Sequence, residues 1–135
     1  MLGYTVIQRY PKMKMVVAHG KATWMEEILE KFESSTRTIA LQHIYPVRTD
    51  PEELWKESHV MLGFDTDEIG VPRLPEPYEG KVVWGSRYPN QDTTSAWDAI
   101  QALTRASVGE STIARMMGGN AAEQFGIKLV QKVGN

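Results

Sequence analysis

Met13-Lys14-Met15-Val16-Val17-Ala18-His19-Gly20 is a nearly continuous apolar run closed by a histidine and a glycine. A run of that length suits a strand buried on both faces of a parallel sheet. Val60-Met61-Leu62-Gly63-Phe64 and Lys81-Val82-Val83-Trp84 have the same character. Between the first two runs, Thr23 followed by Glu26 predicts a capping box. Trp24, Ile28, Leu29 and Phe32 then predict an apolar stripe on a helix reaching about Ser34. Asp50 before Pro51 predicts the start of a second, short helix. Strands separated by tens of residues, with helices between them, require crossover connections and hence a parallel sheet in an α/β fold.

Outward from this core, residues 3–9 read as the last turns of a helix, stopped by Pro11. A Pro-rich connection with Pro72, Pro75 and Pro77 precedes the third run. After it, Thr94 or Ser95 can begin a helix carrying Trp97, Ile100, Ala102 and Leu103. Glu110–Met117 predicts another helix. Gly118-Gly119 reads as a stop, and Asn120 as the cap of a last helix ending near Gly126. No repeat or linker divides residues 1–135, so a single domain is expected. Three parallel strands make a poor sheet alone, because both faces and both edges need cover.

Composition narrows the function classes. The 135 residues carry 15 Lys+Arg against 17 Asp+Glu, a formal net charge of -2, which gives no bulk attraction for a polyanion. Neither nucleic-acid nor membrane binding is expected. The absence of cysteine removes disulfide scaffolds, thiolate metal sites and cysteine nucleophiles. The longest apolar run is far shorter than the ~20 residues that cross a bilayer. Met1–Tyr10 lacks the basic start and apolar stretch of a secretory signal, so a cytoplasmic protein is expected.

His19 stands at the carboxyl end of the first predicted strand. Strand carboxyl ends open towards the ligand crevice in α/β folds, where an imidazole can bind a metal or move a proton. The alternative is a histidine satisfied by hydrogen bonds at a strand end. The third strand exits into Gly85-Ser86-Arg87-Tyr88-Pro89-Asn90, where Arg87 and Asn90 offer donors suited to an anionic or amide-bearing ligand. Pairing of Arg87 with a nearby carboxylate is the simpler alternative. Asp65, Asp67 and Glu68 lack the spacing of a calcium loop and read as a solvated acidic loop. His43 and His59 have no partners at metal-ligand spacing and read as surface or loop residues. Dinucleotide, P-loop and nucleophile-elbow signatures are all missing.

Three segments together resemble a known family in order and spacing. They are Arg9-Tyr10-Pro11-Lys12-Met13-Lys14-Met15-Val16-Val17-Ala18-His19-Gly20, then Val82-Val83-Trp84-Gly85-Ser86-Arg87-Tyr88-Pro89, then Ala114-Arg115-Met116-Met117-Gly118-Gly119-Asn120-Ala121-Ala122-Glu123-Gln124-Phe125-Gly126. This pattern resembles the C-terminal part of the amidohydrolase-related family, the branch that includes aminocarboxymuconate-semialdehyde decarboxylase. The glycine-rich third segment is the most specific, and the resemblance runs from about residue 3 to residue 127.

The resemblance implies a (β/α)8 TIM barrel with metal and substrate at the strand carboxyl ends, typically of about 250 residues. This chain would supply only the sixth, seventh and eighth strand units and the C-terminal helices, a partial barrel. His19 falls at the family's sixth-strand histidine, implying a catalytic acid/base role, and a metal-ligand role if a partner segment completes the site. Arg87 stands where the family carries a metal-binding aspartate, and Asn90 where a histidine often follows the Tyr-Pro. Arg87 and Asn90 are thereby expected to bind substrate. The family cofactor is a divalent metal, zinc above all; a guanidinium cannot ligate one, so this chain is also open to having none.

The implied activity is that of a metal-dependent hydrolase or decarboxylase (a carboxy-lyase) acting on a small carboxylated substrate, incomplete on its own. The alternative is a non-catalytic half-barrel that binds a small acid or a partner chain. In either case a homo-oligomer or a complementing chain is the expected partner.

Overall fold

The computed structural model describes residues 6–36 and 50–128. Helix α1 (Val6–Arg9) leads into β1 (Met15–Val17) and α2 (Trp24–Thr36). Then come α3 (Pro51–Glu57), β2 (Val60–Phe64) and the single turn α4 (Gly70–Arg73). A 3-10 turn (Glu76–Tyr78) precedes β3 (Val82–Trp84), and α5 (Ala96–Arg105), α6 (Glu110–Ala114) and α7 (Asn120–Phe125) complete the order. The Pro-rich connection is thus built of two short helical turns. Residues 3–5 of the predicted first helix, and His43, lie outside the described residues.

The strands lie side by side in the order β1-β2-β3, all parallel, as the crossover argument requires. Leu62 pairs with both Val17, the last residue of β1, and Val82, the first of β3. Successive strands are therefore staggered, as the tilt of barrel strands demands. Gly63 makes the β1–β2 approach possible, because a Cβ there would stand 3.2 Å from Ala18 Cα.

Burial corrects the expectation of strands covered on both faces. Val60, Leu62, Phe64 and Val82 join Met25, Trp55, Tyr78 and Leu103 in the core, with Met15, Val17 and Trp84 packed against it. By the period-two alternation of strands, all these strand residues share one face. On the other face Val16 and Val83 are half-buried, while Met61 between them on the central strand is buried at 7% exposure. Only the central strand is mostly buried; β1 is half-buried throughout and β3 beyond its first residue.

The helix faces largely follow the predicted stripes, with Leu103 in the core and Trp24, Leu29 and Ile100 packed against it, and the departures are single residues. In α2, Met25 is buried while Ile28 is exposed; in α5, Ala99 and Leu103 are buried while Trp97 is exposed. Each helix seats a smaller or more flexible side chain against the sheet and leaves a bulky one outside. The α2 capping box is replaced by a long-range contact, because the Thr23 amide that Glu26 would bind donates to Glu68. Glu26 instead accepts a hydrogen bond from the Tyr78 hydroxyl at 2.7 Å. The two other starts match the sequence. Asp50 Oδ1 accepts from the Glu52 and Glu53 amides, and Ser95 Oγ accepts from the Asp98 amide.

The last two helices close the amino end of the sheet. Arg115–Gly119 joins α6 to α7 across a kink at Gly118, whose φ of 163° and ψ of -23° break the helix as the predicted stop requires, while Asn120 is helical itself and does not act as the predicted cap. Its amide is drawn to the strands, donating to the carbonyls of Glu79 at 2.7 Å and Val82 at 2.8 Å. Gln124, one turn on, donates to the His59 carbonyl at 2.8 Å. Gly119 permits this packing, since a Cβ there would sit 3.1 Å from the Ala114 carbonyl oxygen.

Candidate functional site at the strand carboxyl ends

The loops leaving the three strands meet at the opposite end of the sheet, and the loop after β2 holds its two neighbours. Asp65 and Glu68, read from sequence as parts of a solvated acidic loop, are buried, at 7% and 3% exposure. Glu68 Oε1 accepts from the amides of Ala22 and Thr23, both at 2.7 Å. Its charge thereby satisfies amides at the start of α2, where the helix dipole favours an anion. Asp65 turns the other way and binds Arg87 from the loop after β3. Asp67 is exposed and meets Lys21 at 3.5 Å. Carboxylates with hydrogen-bonded partners can be buried where unpaired ones cannot, which composition alone does not reveal.

Arg87 is the centre of this end. Its Nε donates to Asp65 Oδ1 at 2.9 Å, its Nη2 to Asp65 Oδ2, and its Nη1 to Asp92 Oδ2. The Asp65 pairing is bidentate, the geometry for which a planar guanidinium is pre-organised. Both carboxylates hold Arg87 still more firmly in its charged form. Three of its five N–H donors are engaged, leaving two, and 21% of its side-chain surface remains exposed.

Left-handed backbone at non-glycine residues is uncommon and clusters at functional sites. His19 and Lys21, after β1, and Arg87, after β3, all adopt it, with φ of 61°, 61° and 58°. The Tyr88–Pro89 peptide is cis. Hydrogen bonds run from Trp84 Nε1 to Thr66 Oγ1 at 3.1 Å and on to Thr94 Oγ1 at 2.8 Å, tying the second and third loops together.

The predicted site residues take different places in this frame. His19 is exposed at the carboxyl end of β1. Arg87 adopts the simpler reading, a pairing with carboxylates, while keeping two donors. Asn90 is exposed, and its carbonyl accepts from Thr93 in a turn, leaving its side chain outward. Asp65, Glu68 and Asp92 were missed as partners. The one available signal was the cation at Arg87, which needed an anion nearby.

The divalent metal implied by the resemblance finds no donor set in these residues. Both oxygens of Asp65 are held by Arg87, and a guanidinium offers no lone pair to a metal. Among the described residues no three His, Cys, Asp or Glu side chains converge. His19 alone could contribute a single ligand. A separate cleft of about 410 Å³, lined in part by Met25, Leu29, Trp55, Tyr78 and Lys81, lies towards the amino ends and includes neither His19 nor Arg87. Among the described residues no helix is long and apolar enough to cross a membrane.

Comparison with known proteins agrees with this architecture. The structure is similar to the crystal structure of an amidohydrolase from Mycobacterium avium subsp. paratuberculosis K-10, with a TM-score of 0.72 and 20% sequence identity. That similarity covers 96% of this chain but 32% of the other, so the chain spans about a third of that protein's length. No curated protein sequence matches it. The sequence model of the amidohydrolase family matches residues 1–127. A staggered parallel sheet with its charged loops at the carboxyl ends, matched by that model over nearly its whole length, belongs to the amidohydrolase family.

Proposed function

We propose that this chain supplies the carboxyl-end rim of a hydrolase or carboxy-lyase acting on a small carboxylated substrate. In this reading it forms the last three strand units of a TIM-type barrel, of the aminocarboxymuconate-semialdehyde decarboxylase kind. The remaining strands come from a complementing chain or a further copy. The observation that carries the reading is Arg87, held rigidly by Asp65 on the same rim as His19, with two N–H donors still available. The apolar second face of the sheet, where Val16 and Val83 are only half-buried, supports completion by further strands.

The chemistry follows from these side chains. The two remaining N–H groups, one on Nη1 and one on Nη2, can donate to a substrate carboxylate, and the Asn90 amide can add a donor or acceptor. The His19 imidazole can take or deliver a proton near neutral pH, which suits either activation of water or protonation after loss of CO2. No step is assigned to a metal, because the residues present do not hold one.

A second reading, a binding-only half-barrel, is favoured by the same missing donor set. Turnover separates the two. The protein is incubated with a panel of small aromatic and aliphatic carboxylates, amides and esters, with and without excess chelator, while CO2 and new carboxylate are followed. Turnover lost in both His19→Ala and Arg87→Ala supports the enzyme reading. Carboxylate binding that Arg87→Ala abolishes, without turnover, supports the binding reading. Neither turnover nor carboxylate binding contradicts both.

A further inference from the structure

Two carboxylates reach the Arg87 guanidinium from different parts of the rim. Asp65 follows β2 directly and is buried; Asp92 lies five residues beyond Arg87 and is exposed. The backbone at Arg87 adopts a left-handed conformation, at φ 58°, in delivering the cation to them. A buried carboxylate needs a cationic or hydrogen-bonding partner, and Asp65 has both oxygens on this one. The rim therefore holds a complete cation-and-carboxylate centre made from its own side chains. That is at odds with the divalent metal the family resemblance implies at this place.

We propose that the Arg87 guanidinium is a built-in replacement for a divalent cation, so that the rim of this chain is metal-independent. Arg87 occupies the place between Asp65 and Asp92 that a cation would take, and its charge is organic and permanent. A guanidinium cannot be removed by chelation or exchanged, and it does not titrate in the accessible pH range. The inference concerns cation occupancy alone and does not depend on turnover or on the substrate class proposed above.

Mn2+ tests it, because paramagnetic broadening of amide NMR signals reports weak binding at a specific place. In the wild-type protein, signals of residues 64–66 and 86–92 are expected to show no localised broadening, and chelator leaves the melting temperature unchanged. In Arg87→Ala the freed carboxylates are expected to gather Mn2+, with selective loss of those signals. Adding Asp65→Asn to that variant should abolish the effect. Should Arg87→Ala fail to fold, recovery of its fold by methylguanidinium or Mn2+ supports the inference, and recovery by neither overturns it. Localised broadening in the wild type, or a folded Arg87→Ala with none, also overturns it.

Discussion

The two ends of the sheet are closed by different chemistry. At the amino ends, side-chain amides do much of the work: from one helix Asn120 and Gln124 donate to the carbonyls of Glu79, Val82 and His59, at or just before the strand starts. At the carboxyl ends, charged groups do it: Glu68 holds the loop after β1, and Asp65 holds the loop after β3. The amino end has its polar groups consumed, with Asn120 Oδ1 itself accepting from Arg115 at 3.3 Å. The carboxyl end keeps an exposed imidazole, two guanidinium donors and left-handed backbone. One end is built for stability and the other retains unspent chemistry, the division expected of parallel α/β sheets, whose sites lie at the strand carboxyl ends.

Breaking the amino end should give the largest effect. Asn120→Ala leaves the Glu79 and Val82 carbonyls without this donor at a site only 1% exposed. The expected loss is about 3 kcal/mol. Chemical denaturation checks it, and a loss well under ~1 kcal/mol would mean that α7 does not seal the sheet.

At the other end, Glu68→Gln keeps the shape but removes the charge from the start of α2. A loss of about 1–2 kcal/mol is expected, since charged acceptors make stronger hydrogen bonds. Equal stability of variant and wild type would show that the charge at this junction is immaterial.

The smallest effect concerns Lys81, just before β3. It lies over the Trp55 ring at 5.1 Å and donates to the Ser58 carbonyl at 2.6 Å. Burial pushes its pKa down from 10.5 to about 8. The unfolded chain then binds more protons than the folded one between those values, so this group makes stability rise with pH across that window. Below about pH 8 its cost is fully present. Lys81→Met should flatten the rise between pH 8 and pH 9.5, read by melting temperature relative to wild type. An unchanged slope would place the lysine in solvent.

Much of the frame was legible because it rests on local pattern. Three apolar runs became three parallel strands, and Asp50 and Ser95 start helices as their side chains suggest. What failed were features set by distant partners. The Thr23 amide is taken by Glu68, forty-five residues away, where a local capping box was expected. Asn120 serves strand carbonyls and not its own helix. In α2 and α5 the apolar stripes hold except at Ile28 and Trp97, which are exposed. At the site, His19 and Arg87 were found from strand-end position and from the family pattern. Asp65 and Asp92 were not, because nothing in the order of residues shows which acid will meet which base.

The most direct test of the division between the two ends is amide chemical-shift mapping with benzoate as the probe ligand. Signals around His19 and from Ser86 to Asn90 should move, while those of Asn120 and Gln124 stay fixed, and Arg87→Ala should abolish the shifts. Shifts confined to the cleft lined by Trp55 and Lys81, or none on the carboxyl-end rim, would contradict the assignment of that rim as the functional end.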